Sequence, residues 1–268
     1  MSVRGLALHT WTLDTTPLPA ALAVVRAAGW GAVELRRIDF ERAREAGRTP
    51  EQVMAEVRAS GLAVACVGAR FGWMWEDRVE ERTTLLGALD DAARWAAALG
   101  CATVMSPVDR GRGDTRRAAA SVREAGDVVA AHGVTLAVEP NSQCEQLNTI
   151  ERVREVLALA GHPRCGLLVD TYHVQRAGDW RALEDLPRGE IAYVQYSDVP
   201  RETRPGFALD RLPPGRGVVP FREAFALVAA SGYSGWLSYE APNEAAWKRP
   251  PDEVAREALE ASRPLLPQ

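Results

Sequence analysis

The chain alternates amphipathic stretches with short apolar runs, and a glycine stands between each stretch and the run that follows it. A glycine just past the end of a helix adopts the left-handed conformation without a steric penalty. The glycines are Gly29, Gly61, Gly100, Gly133, Gly161, Gly189 and Gly232. The apolar runs that follow them are residues 32–34, 62–67, 101–105, 134–138, 166–169, 191–194 and 236–239. The pattern therefore predicts a repeated helix–glycine–strand unit.

Seven such units and an opening strand at residues 4–9 predict eight strands joined by helices. Successive glycines lie 28 to 43 residues apart, which leaves room each time for a strand, a helix and two loops. This order predicts a single-domain α/β protein over residues 1–268, a (β/α)8 TIM barrel. The main alternative is a doubly wound open sheet. It is weakened because Leu8-His9-Thr10-Trp11 stands where that fold has a glycine-rich phosphate loop.

Four of the predicted strands end in a polar side chain. These residues are Glu139, Asp170, Gln195 and Glu240, at the ends of strands five to eight. Because the carboxyl ends of parallel barrel strands open onto one face, the four side chains are expected to converge. Packed carboxylates resist ionisation unless a cation neutralises them, and oxygen ligands suit Mg²⁺ or Mn²⁺. Taken singly, each residue could instead close a strand or cap a turn; together they predict a metal site.

The strand-end motifs also resemble those of a known group of enzymes. Val138-Glu139-Pro140, Asp170-Thr171-Tyr172-His173, the strand end at Gln195 and Ser238-Tyr239-Glu240 resemble the motifs of the xylose isomerase-like barrel superfamily. That group includes ketose 3-epimerases, inosose isomerases and dehydratases, and 3-dehydroshikimate dehydratases. The resemblance covers nearly the whole chain. It implies one Mn²⁺, Mg²⁺ or Co²⁺ ion held by the four strand-end residues, with Glu139 and Glu240 as acid/base groups.

The resemblance also implies substrate contacts beside the metal. His173 follows Asp170 by three residues, and Arg201 follows Gln195 by six, as substrate-binding residues do in related enzymes. Either one could instead be an ordinary loop residue bonded to a neighbour or to solvent. Four further residues lie after early strands and are expected to line the substrate pocket, although packing is an equal alternative for them. These are His9, Glu34, Arg70 and Trp73.

Gln195 departs from the pattern, because most sugar epimerases and isomerases of this group carry histidine there. Glutamine offers a neutral carbonyl oxygen where histidine offers a nitrogen, so the site becomes harder and favours Mg²⁺ or Mn²⁺. Some members that resemble 3-dehydroshikimate dehydratases carry glutamine at this position. The residue therefore counts against a simple sugar epimerase.

The composition limits the classes of partner and the cellular compartment that we expect for this protein. The 268 residues are 47% hydrophobic and 25% charged, as in globular proteins, and the net charge is −4 without a long basic run. We therefore expect a small-molecule substrate and no nucleic-acid partner. Four scattered cysteines predict free thiols and a cytoplasmic setting, and we expect no membrane segment. A homo-oligomer is compatible with the sequence, which does not define the oligomeric state.

The expected chemistry is proton abstraction next to a carbonyl, assisted by a divalent metal ion. The first interpretation is an isomerase or epimerase of a ketose, an inosose or a related polyhydroxy ketone in carbohydrate metabolism. The alternative is a dehydratase, a lyase, of a cyclic keto acid such as 3-dehydroshikimate. A nuclease of the apurinic-site type needs a histidine-rich cluster, which four scattered histidines do not supply. A non-catalytic binding barrel is a weaker hypothesis. The long polar segment 197–219 is a candidate lid or substrate wall.

Overall fold

The computed structural model describes residues 3–202 and 209–266. Its eight parallel strands pair in chain order, and the last pairs with the first, so the sheet closes into a barrel. This confirms the predicted (β/α)8 fold. The strands are β1 (Gly5–His9), β2 (Ala32–Leu35), β3 (Ala63–Gly68), β4 (Thr103–Pro107), β5 (Thr135–Glu139), β6 (Cys165–Asp170), β7 (Ile191–Tyr196) and β8 (Trp236–Tyr239).

Amphipathic helices surround the barrel and pack their apolar faces on the strands. They are α1 (Leu18–Ala28), α2 (Arg37–Glu45), α3 (Pro50–Ala59), α4 (Val79–Ala98), α5 (Thr115–Ala130), α6 (Ile150–Ala160), α7 (Thr171–Ala177), α8 (Phe221–Ala230) and α9 (Pro251–Ser262). Two helices, α2 and α3, follow β2, where the periodic pattern predicts a single unit. The additional helix α2 begins with a capping interaction in which the Asp39 carboxylate accepts the backbone N–H of Arg36 at 2.8 Å.

Local signals in the sequence explain where helices begin and end. The Thr49 hydroxyl accepts the backbone N–H of Gln52, and the Gln52 side chain accepts that of Thr49, so a reciprocal cap starts α3. Gly29 and Gly161 follow α1 and α6 with φ values of 95° and 57°, the left-handed conformation expected of a terminating glycine. Each turn then leads directly into the next strand.

The strand register brings the polar strand ends to one rim. Glu139 and Asp170 are the last residues of β5 and β6, and Glu240 directly follows β8. Asp170 is paired with Gln195 on the neighbouring strand β7. The four predicted ligand positions therefore face the same end of the barrel.

The segment after β7 is attached to this rim at several points. Asp198 pairs with Leu212 in an isolated antiparallel bridge, and Asp210 pairs with Asn243 in another. The Asp198 carboxylate also accepts the backbone N–H groups of Gly217 and Val219, at 2.8 and 2.9 Å. Part of the predicted lid, residues 203–208, lies outside the described residues. The described parts, residues 197–202 and 209–219, are joined to each other and to residue 243 by these bridges and hydrogen bonds.

All four cysteines are free thiols, as predicted, and three of them are buried. Among residues 3–202 and 209–266, no helix combines the length and the apolar character that a bilayer crossing requires.

Candidate metal and substrate site

The structure brings the three strand-end carboxylates together at the centre of the rim. Glu139, Asp170 and Glu240 are all buried. Potential ligand atoms of Glu139, Asp170 and His173 lie within 4.8 Å of one another. Oxygens of Asp170 and Glu240 both contact the same guanidinium nitrogen of Arg211, which places Glu240 in the same cluster.

Gln195 lies next to Asp170 in the strand register and carries a further carbonyl oxygen. Its side chain is fully buried, and its Nε2 donates a hydrogen bond to Glu34 Oε1 at 2.9 Å. Its Oε1 has no hydrogen-bond partner among the described residues. A buried amide oxygen without a partner is costly, and a cation ligand position is one way to satisfy it. Three carboxylates and this oxygen form a donor set that fits a divalent cation.

Burial makes the carboxyl groups of Glu139 and Glu240 more difficult to ionise. Burial, together with the charges of Glu240 and Asp170, raises the pKa of Glu139 well above its ordinary value. Burial also raises the pKa of Glu240 to about 7, against the opposing effect of Arg211. A carboxyl group with a pKa near neutrality, like that of Glu240, is suited to accept and return protons.

His173 lies beside the carboxylates, in the first turn of α7, and its predicted contact with substrate stays a prediction. Its Nδ1 is 2.9 Å from the Ser142 hydroxyl, and its Nε2 is 3.8 Å from both Glu139 Oε1 and Asp170 Oδ2. Burial lowers the pKa of His173 to about 3, so its imidazole is neutral at physiological pH. A neutral imidazole oriented in this way can contact either a metal ion or a substrate oxygen.

Arg211 is a site residue that sequence reasoning missed. Its Nη1 donates to Asp170 Oδ2 at 2.8 Å and to Glu240 Oε2 at 2.7 Å. Its guanidinium carbon lies 4.2 Å from the centre of the Tyr172 ring, and its Nη2 is 3.3 Å from His173 Nε2. Burial opposes the charge of Arg211, but the carboxylates of Asp170 and Glu240 outweigh it and raise the arginine pKa. A fixed buried cation therefore stands within the acidic cluster.

The other predicted contact residues lie in two different environments. His9 is buried beside the cluster, where its Nδ1 accepts the backbone N–H of Trp11 and its Nε2 lies 3.3 Å from Glu240 Oε1. Glu34 is fully buried beneath the cluster. Trp73 is also buried, with its indole nitrogen donating to Ser106 at 3.2 Å.

The two remaining predicted residues, Arg70 and Arg201, are exposed. Among the described residues, the wall of the cavity above the carboxylates includes neither these two arginines nor Glu34 and Trp73. The substrate roles assigned to these four residues by sequence reasoning stay predictions.

A cavity of about 410 Å³ opens above the carboxylates, a size typical of small-molecule sites. Its wall includes His9, Glu139, His173 and Glu240. The cavity is rich in guanidinium groups, which come from Arg36, Arg37, Arg42, Arg110 and Arg211. The carboxylates of its wall are those of Asp14, Glu139 and Glu240.

Arg36 is held rigidly in this wall. Its side chain donates to Thr10 at 3.1 Å and to Asp14 at 2.6 Å, and it also contacts Asp39 at 3.3 Å. A guanidinium with this support keeps its position when a ligand binds, which favours recognition of a planar anion.

Comparison with known proteins gives a consistent picture. The family model described as the xylose isomerase-like TIM barrel matches residues 22–265. A 3-dehydroshikimate dehydratase of Pseudomonas putida is 26% identical over 260 residues, which cover 90% of this chain and 39% of that protein. A 3-dehydroshikimate dehydratase of Pseudomonas aeruginosa is 27% identical over 243 residues, which cover 85% and 36%. The chain thus spans about two fifths of the length of these curated relatives.

Solved structures share the fold. A structure of the IolI protein with a bound zinc atom superposes with a TM-score of 0.85 at 18% identity, over 97% of each chain. The 3-keto-D-glucoside 4-epimerase YcjR of E. coli gives a TM-score of 0.78 at 20% identity, over 97% of this chain and 99% of that one. At these identities the likeness concerns the fold alone.

Proposed function

Because the chain belongs to the xylose isomerase-like TIM-barrel family, we propose that it is a divalent-metal-dependent dehydratase of a cyclic keto acid, of the 3-dehydroshikimate type. The observation that carries this proposal is the arginine-rich cavity above a carboxylate cluster. The names of the curated relatives support it, as does glutamine at position 195.

The arginines of the cavity favour an acidic substrate over a neutral sugar. A neutral polyhydroxy ketone needs hydrogen-bond donors and acceptors but no cationic wall. A substrate carboxylate, in contrast, gains charge-assisted and bidentate hydrogen bonds from guanidinium groups. Arg211 reaches from the cavity wall into the acidic cluster, and Arg36 also lines the cavity, so either could bind an anionic group of the substrate.

The predicted ligands would hold the metal at the floor of this cavity. Glu139, Asp170, Gln195 and Glu240 would be the ligands, with Mn²⁺ or Mg²⁺ preferred and Co²⁺ acceptable. When bound, the ion polarises the substrate carbonyl and stabilises the negative charge that develops on its oxygen. His173 stands beside this position and can hydrogen-bond a substrate oxygen.

Carboxylates of the chain itself would transfer the proton. A carboxylate at Glu139 or Glu240 removes the carbon-bound proton next to the carbonyl. The electron pair of that bond forms a carbon–carbon double bond as the β-hydroxyl leaves, and a proton returned to the hydroxyl completes a water molecule. Burial raises the pKa of both glutamates, and the pKa of Glu240, about 7, suits this exchange near neutrality.

An isomerase or epimerase of a ketose or inosose is the second candidate. It is favoured by the presence of two such glutamates, Glu139 and Glu240, in one cluster. Epimerisation needs one group to remove a proton and another to return it from the opposite face. The same pair would then act on a substrate whose β-hydroxyl stays in place while the proton is exchanged.

An assay of the metal-loaded protein separates these candidates. With 3-dehydroshikimate we expect loss of water and growth of the ultraviolet absorbance of an aromatic dihydroxybenzoate. A panel of ketoses and inososes in D₂O should show little exchange at the carbon next to the carbonyl. Rapid exchange and interconversion in that panel, without turnover of the keto acid, would instead establish the epimerase.

Replacement of Gln195 by histidine tests the metal ligands separately. The imidazole should raise affinity for Co²⁺ and Zn²⁺ relative to Mg²⁺, because nitrogen is the softer ligand. Histidine must lose a proton before it binds, so metal affinity should weaken more between about pH 7.5 and about pH 6 than in the parent. Calorimetric titrations with each ion measure both effects. Equal preference and equal pH dependence in the two proteins would remove Gln195 from the ligand set.

A further inference from the structure

Glu34 is a buried acid that the proposed reaction does not use. It lies in the middle of β2, fully inaccessible to solvent, between His9 on β1 and Cys66 on β3 in the strand register. Burial and the charge of Glu240 raise the pKa of Glu34 to about 8. A carboxyl group is rarely placed in a barrel interior without partners, so its contacts indicate what it does there.

Both oxygens of Glu34 accept hydrogen bonds from β7. Gln195 Nε2 donates to Oε1 at 2.9 Å, and the Tyr193 hydroxyl donates to Oε2 at 3.0 Å. Residues 193 and 195 alternate with Val194, so both point into the barrel. Since β2 and β7 are not neighbours in the sheet, these bonds cross the interior beneath the carboxylate cluster.

This contact decides which end of the Gln195 amide faces the cluster. An amide has a donor end and an acceptor end, and Glu34 accepts the donor end. Oε1 is therefore directed away from Glu34, and it is the buried oxygen that has no hydrogen-bond partner among the described residues.

We propose that Glu34 is a positioning residue that fixes the Gln195 amide with its carbonyl oxygen toward the divalent cation. The inference rests on the metal site of the proposed function and is independent of the substrate. It assigns to Glu34 the part that a hydrogen-bonded partner commonly plays behind a metal ligand. It also gives a role to a carboxyl group that is fully buried in the barrel interior.

Titration of Mn²⁺ alone into the substrate-free protein provides the test. Glu34→Leu removes the acceptor and releases the amide, so Mn²⁺ affinity should fall roughly 10–100-fold. Glu34→Gln keeps an acceptor oxygen for Gln195 and should stay within a few-fold of the parent. Tyr193→Phe removes the other hydrogen bond to the same carboxylate and serves as the matched control, with affinity again within a few-fold. Glu34→Ala is titrated alongside Glu34→Leu. Its small side chain cannot crowd the barrel interior, so it remains usable if the leucine variant fails to pack.

A double-mutant cycle separates positioning from general damage to the barrel. In a Gln195→Ala background, Glu34→Leu should have no further effect on Mn²⁺ affinity, because the residue through which Glu34 acts is gone. Additive losses, or an equal loss in Tyr193→Phe, would overturn the positioning role. If the parent protein binds Mn²⁺ and Glu34→Leu binds it equally well, only this inference fails. A parent that binds no divalent ion refutes the metal site and this inference together.

Discussion

Asp170→Asn and Glu240→Gln should each lose divalent-metal binding and, with it, nearly all activity. Both changes keep the shape of the side chain and remove one charge from the ligand set. Loss of a residue that only supports a ligand commonly costs about 10–100-fold in metal affinity, so loss of a ligand charge should exceed ~100-fold. Calorimetry with Mn²⁺ and metal content after dialysis measure the effect.

Asp109→Asn is the matched control for these two substitutions. Asp109 is also a buried acid, just beyond the end of β4. Its carboxylate accepts the backbone N–H groups of Gly72 and Met74, at 2.5 and 2.8 Å. We expect this variant to lose stability but to keep its metal affinity. Tight metal binding by Asp170→Asn and Glu240→Gln would show that the cation is held elsewhere.

Arg211→Met should have the second large effect, and it should act on stability and activity at once. Removing one partner of a buried ion pair leaves an uncompensated charge and costs about 3–5 kcal/mol. The metal-free variant should therefore unfold at lower temperature and lower denaturant concentration than the parent. Saturating Mn²⁺ should recover much of that difference, because it supplies positive charge to the same carboxylates.

Activity on the keto acid should fall about 100-fold or more in kcat/KM in the same variant, because a buried charge-assisted contact to the substrate is lost. Arg211→Lys keeps the charge but not the planar fork, so it should recover stability better than activity. Arg37→Met is the control for removing an arginine from the cavity wall. Arg37 pairs with Glu41 at a partly exposed position and should contribute at most about 1 kcal/mol. Normal turnover by Arg211→Met would refute the role of Arg211 in substrate binding.

The barrel and its acidic rim were predictable because they depend on local patterns repeated in order. Each glycine marks the end of one unit, and each polar residue after an apolar run marks the end of a strand. Closure of the sheet then brings Glu139, Asp170, Gln195 and Glu240 to one face without further information. The cap around Thr49 is equally local, and it was predictable for the same reason.

Arg211 was not predictable in this way, because its position depends on contacts between distant segments. The polar segment after β7 contains several arginines, and nothing in their local sequence shows which one enters the cluster. Arg211 is positioned by the bridges that flank it, from Asp198 to Leu212 and from Asp210 to Asn243. The role of Glu34 depends in the same way on a hydrogen bond that crosses the barrel, from β2 to β7.

The attachment of the segment after β7 has an evolutionary consequence. The carboxylates belong to strand ends, which the closed sheet holds, whereas Arg211 belongs to a loop fastened by Asp198 and Asn243. Mutations within that loop can change the charge of the acceptable substrate while the sheet that carries the acidic residues is preserved. A descendant of this protein could thus exchange the proposed keto acid for a neutral polyol by altering one loop, and laboratory selection for new substrates should concentrate its diversity there.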